Sequence, residues 1–135
     1  MKIAQYGTAI VVLHAIVHGL HGLAHVEIPV PLSILQSLFV GIVIYAIPII
    51  AVVLLWTQLY RIGSWLLLFS MAASVLFGIY NHLIVISSDH VSQVSFLGWG
   101  LLFQITAILT LIVDGFCCWI GIGALKTIQE PEKGI

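Results

Sequence analysis

The run IAQYGTAIVVLHAIVHGLHGLAHV, Ile3 to Val26, contains no Asp, Glu, Lys or Arg, yet it holds four histidines between His14 and His25. A helix rises about 1.5 Å per residue, so a run of this length crosses the roughly 30 Å hydrocarbon core of a bilayer. Three further apolar runs follow, Leu32 to Thr57, Ile62 to Ile86 and Phe96 to Leu125, and the four account for nearly the whole chain. With 61% hydrophobic and 7% charged residues and a mean hydropathy of +1.22, the composition excludes a soluble globular domain. None of the runs alternates as a barrel strand would. The expectation is an all-α integral membrane protein of one domain, residues 1–135, with four transmembrane helices in a single bundle and a polar tail over 126–135.

Lys2 ahead of an apolar stretch resembles the start of a signal peptide. Histidines inside the run and the lack of an A-x-A type cleavage site predict that the segment stays. The helices are separated by short breaks: EIPVP with Pro29 and Pro31, the turn QLYR, and SSDHVSQVS. Lys2, Arg61, Lys126 and Lys133 all fall on one side of an even-numbered bundle, whereas the other two loops carry Glu27, Asp89 and His90 and no lysine or arginine. The positive-inside rule then puts both termini in the cytoplasm and the first and third loops outside, in the cytoplasmic membrane. Trp56, Tyr60 and Trp119 fall near the inner interface and Trp99 near the outer one.

His14, His18, His21 and His25 stand at i, i+4, i+7 and i+11, which at about 100° per residue gathers them into an arc of roughly 60°. The stripe is about 16 Å long and runs from mid-membrane to the outer surface. Polar groups at that depth face an interior rather than lipid. The third helix runs parallel to the first, so His82 reaches the level of His21, with His90, Asp89 and Glu27 in the loops above. Imidazoles suit copper, iron and zinc. The candidate metal ligands are therefore His18, His21, His25, His82 and His90, with Glu27 and Asp89 as further candidates, serving membrane redox chemistry or metal handling near the outer face.

Two other functions compete with that one. A b-type cytochrome would hold one haem b between a first-helix histidine, His14, His18 or His21, and His82, passing electrons between quinol and a partner. The small residues Ala15, Gly19 and Gly22, and Ser70, Ser74 and Gly78 on the third helix, would leave room for a flat ring or let helices pack closely. A non-catalytic accessory subunit would use the histidines only as a polar seam. One haem uses two histidines and leaves four unexplained, which favours the metal. The expected partners are the lipid bilayer and, within it, a redox partner or further copies of the chain. A net charge of −1 and no basic patch exclude a nucleic-acid surface.

Asp114 is the one acidic residue within an apolar run, at the depth of His14, and the two are expected to form a proton relay because no third ligand-type group is foreseen between them. A structural hydrogen bond from Asp114 to a threonine hydroxyl such as that of Thr110 is the simpler alternative. Cys117 and Cys118 are adjacent, point about 100° apart on a helix, and read as packing residues. Pro48 predicts a kink in the second helix, which otherwise reads as a scaffold. The spacing HxxxHxxHxxxH resembles the histidine boxes of membrane di-iron desaturases and hydroxylases over twelve residues. This chain has six histidines, no His-His pair and one dense helix, so no activity is carried over.

Overall fold

In a computed structural model the described residues, 2–129, are helical with short connections, and among them there is no strand. Helix α1 spans Lys2–Glu27, α2 Ile34–Leu55, α3 Tyr60–Ile84 and α4 Trp99–Gln129. Each is long and apolar enough to cross a membrane. The start of α2 lies two residues later than expected because Ser33 caps it. Its hydroxyl accepts from the Gln36 N–H at 3.2 Å, and its own N–H donates to the Gln36 side chain at 2.8 Å. Gly98, at φ +55°, turns the chain into α4, which therefore begins at Trp99 rather than Phe96. At the other end α4 continues through Lys126 to Gln129, so the first part of the expected tail is helical. Lys133 and the rest of the tail lie outside the described residues.

Helix α1 packs on α4, α4 on α3, α3 on α2, and the second half of α2 returns to α1. Ala4, Val11, Ala51, Leu55, Leu67 and Met71 fill the core toward the end where α1 begins. There the Trp56 indole donates to the Thr8 hydroxyl at 3.0 Å and ties the α2–α3 turn to α1. A side chain at Gly63 would put its Cβ 2.8 Å from the Ala51 carbonyl oxygen, so α2 and α3 touch almost backbone to backbone at that point.

Polarity runs from inside to outside. His14, Ser74, Thr106 and Asp114 are buried, whereas Val12, Ile16, Phe69, Leu76 and Ile112 are exposed. Two segments are wound more loosely than an α-helix, as π-helix: Val40–Ala46 in α2 and Tyr80–Ile84 at the end of α3. The first immediately precedes Pro48. Proline has no N–H to offer the carbonyl four residues back, that of Ile44, and its ring crowds that carbonyl. Where a kink is expected at Pro48, the structure shows a loosely wound segment ahead of it, and α2 is more than a scaffold, as the next section describes. The second loose turn carries His82.

Candidate metal centre

The histidine stripe divides into two groups. In the one toward the C-terminal end of α1, the outer group of the expected orientation, His21, His25 and His82 each offer a ring nitrogen, and these atoms lie within 4.8 Å of one another. The His21 and His82 Nε2 atoms are 3.2 Å apart. Hydrogen bonds at the far side of each ring assign the protons. The Thr106 hydroxyl donates to the Leu102 carbonyl at 2.7 Å, so it accepts from His21 Nδ1–H at 2.9 Å. His82 Nδ1–H donates to the Asp89 backbone carbonyl at 3.0 Å and lies 3.1 Å from Asp89 Oδ1. His25 Nδ1–H donates to the Val30 carbonyl at 3.3 Å. In the neutral rings all three Nε2 atoms are consequently bare lone pairs, and they converge.

Asp89 closes the group from the loop. It is 5% exposed, its Oδ1 lies 3.3 Å from His25 Nε2, and neither carboxylate oxygen has an aligned hydrogen bond. Asp89 Oδ1 thus lies within 3.3 Å of nitrogens on two imidazoles, His25 Nε2 and His82 Nδ1. Gln104 holds this loop over the group by donating to the Val91 and Val94 carbonyls at 3.0 and 2.8 Å.

His18, His14, Asp114 and Ser74 make the inner group. His14 Nε2–H donates to the Ile44 carbonyl, left without its α-helical partner by Pro48, at 2.8 Å. His14 Nδ1 is 2.6 Å from Asp114 Oδ1. His18 Nε2–H donates to Asp114 Oδ2 at 3.0 Å, and the Ser74 hydroxyl donates to the same oxygen at 2.5 Å. A cavity of about 330 Å³ touches both groups: His18 and Ser74 line it, as do His21, His25, His82 and Asp89.

Several expected residues sit elsewhere. His18 turns to Asp114 and belongs to the inner group, one helical turn below the set it was expected to join. His90 is outside both groups: its Nδ1 accepts from the Ser92 N–H at 3.1 Å and its Nε2–H donates to the Leu83 carbonyl at 3.2 Å, so both ring nitrogens are used within the loop. Glu27 is exposed and joins neither. Asp114 does not bond Thr110, whose hydroxyl donates to the Ala107 carbonyl at 2.8 Å. Cys117 is buried in the apolar core. Gly19 and Gly22 have nothing within 4 Å of a would-be Cβ, so the α1 small-residue strip is no packing face. At Gly78 the Cβ would meet Leu111 at 2.8 Å, and there α3 and α4 do pack closely.

As placed, His21 and His82 leave no gap for a flat ring between them, their Nε2 atoms being 3.2 Å apart. The His25 ring lies 4.8 Å from His21, and Phe103 lies 4.9 Å from His21 and 5.5 Å from His82. Thr106 and Ser74 were not anticipated as site residues. Thr106, Thr110 and Asp114 recur every four residues on α4, a spacing that places Thr106 on the Asp114 face. No known protein family, curated protein or solved structure matches the chain.

Proposed function

We propose that the chain is an integral membrane protein that binds a transition metal, Cu, Fe or Zn, through His21, His25 and His82, and that it serves metal handling or redox chemistry near the outer face of the cytoplasmic membrane. One observation carries the reading. Three imidazole nitrogens from two helices converge within 4.8 Å of one another, with a buried carboxylate oxygen beside His25, an arrangement that a cation among them satisfies. Each imidazole also donates its other N–H to a hydroxyl or carbonyl, as metal-ligating histidines do to fix their tautomer. Asp89 behind His82 supplies the carboxylate of such a relay. The metal, when bound, supplies Lewis acidity or an electron-transfer centre. The protein orients the rings and covers them with the loop.

Protein purified in mild detergent will carry at least one transition-metal ion per chain by elemental analysis and show no Soret band. A preparation that stays metal-free after incubation with Cu, Fe and Zn salts would sink the proposal, and a Soret band would replace it with haem.

The apolar exterior, with polar groups kept inside, supports insertion in lipid. Lys2, Arg61 and Lys126 cluster at the end opposite the outer histidines, which supports cytoplasmic termini. Cysteines introduced at Ser88 and Gln129 will react with an impermeant thiol reagent from opposite sides of sealed vesicles, Ser88 from outside. Reaction of both from one side would reverse the depth assigned to every histidine.

A further inference from the structure

We propose that His14, His18 and Asp114 form a second metal site, for a divalent cation such as Zn²⁺, Fe²⁺, Co²⁺ or Mn²⁺, about two helical turns inward from the first. One ligand atom from each residue lies within 4.8 Å of the others. Two imidazoles and a carboxylate make a donor set for borderline to hard divalent ions, and the absence of sulfur disfavours Cu⁺. The expectation of a relay rested on there being two groups at this depth, and His18 supplies the third.

The hydrogen bonds place a proton on the line between His14 and Asp114. His14 Nε2–H is committed to the Ile44 carbonyl, which can only accept, at 2.8 Å. If Nδ1 were a bare lone pair it would face a carboxylate oxygen at 2.6 Å. A proton therefore sits on that line. Protons and metal ions compete for the same lone pairs. When a divalent ion enters, it takes His14 Nδ1, His18 Nε2 and an Asp114 oxygen. The proton between His14 and Asp114 leaves, and the His18 ring proton moves from Nε2 to Nδ1. One proton is released per ion bound. The Ile44 carbonyl then stands behind His14 as the fixed acceptor that a ligating histidine needs. Ser74 holds the second carboxylate oxygen from 2.5 Å, and Asp114 itself is 1% exposed.

The cavity that borders His21, His25 and His82 also borders His18 and Ser74, so it brings open space to the edge of the inner group. The outer group does not supply any ligand to the inner one, so each site stands or falls separately.

The test is titration of the full chain in mild detergent, stripped of metal and then loaded with Zn²⁺ or Co²⁺, with bound ions and released protons counted per chain. The wild type will bind two ions. His82→Ala will keep one, and that one will release a proton. Asp114→Asn will keep one, and His18→Gln, whose amide still reaches Asp114 as a donor, will also keep one; the glutamine variant decides if Asp114→Asn fails to fold. Full wild-type stoichiometry in both inner variants would overturn the inner site, as would a single wild-type ion that survives both. Unchanged stoichiometry in His82→Ala together with loss in Asp114→Asn would overturn the outer site and leave the inner one standing.

Discussion

Replacing His82 with alanine will remove the outer metal. Two imidazoles, His21 and His25, would remain on one face of α1, and two side chains seldom hold a transition ion unaided. Loss of a partner behind a ligand already weakens metal sites by roughly 10–100-fold, so loss of a ligand will exceed that. His21→Ala will behave alike, since its Nε2 is the atom 3.2 Å from His82 Nε2. His90→Ala will bind metal as the wild type does, because both of its nitrogens are engaged with Ser92 and Leu83. Zinc or cobalt titration checks all three. A His82→Ala variant that binds as many ions as the wild type, or a His90→Ala variant that binds one fewer, would misplace the outer site.

The largest stability change belongs to Asp114→Leu. Asp114 is the acceptor for His14, His18 and Ser74 at 2.6, 3.0 and 2.5 Å. A leucine fills the space and accepts nothing. A buried donor left without a partner costs about 1–3 kcal/mol, and breaking a buried ion pair by removing one partner costs about 3–5 kcal/mol. His18 borders the cavity and can turn toward it, which keeps the total below a simple sum. A loss of about 3–5 kcal/mol is expected in reversible denaturation in detergent, with Cys117→Ser as a control that leaves the network untouched. A loss below about 1 kcal/mol would mean that the network does not hold α1, α3 and α4 together.

The four spans and the histidine stripe were legible because both follow from properties of a single helix: apolar length, and about 100° per residue. The meeting of His21 with His82 was legible from alternating helix direction and shared depth. The division of the stripe was not. It depends on how α4 is rotated, since that decides that the two oxygens of one carboxylate reach histidines a full turn apart. Ser74 reads as a small packing residue until Asp114 is known to face it, and Thr106 is one of several threonines until His21 is known to need an acceptor. His90 has the right residue type at the right depth, and only the course of the loop shows that its nitrogens are consumed by neighbours. The two loosely wound segments carry no sequence mark apart from Pro48, and His82 sits in one of them.

The loose turn of α2 has a mechanical consequence. A π turn holds more residues than an α turn, so rewinding Val40–Ala46 as α-helix would swing the Ile44 carbonyl around the axis, by about 100° for each residue of register. His14 would then lose the acceptor that keeps its proton on Nε2, and with it the orientation of Nδ1 toward Asp114. The pitch of α2 and the tautomer of His14 thus form a single degree of freedom, and a one-residue deletion within Val40–Ala46 acts on the inner group as directly as a change to His14 itself.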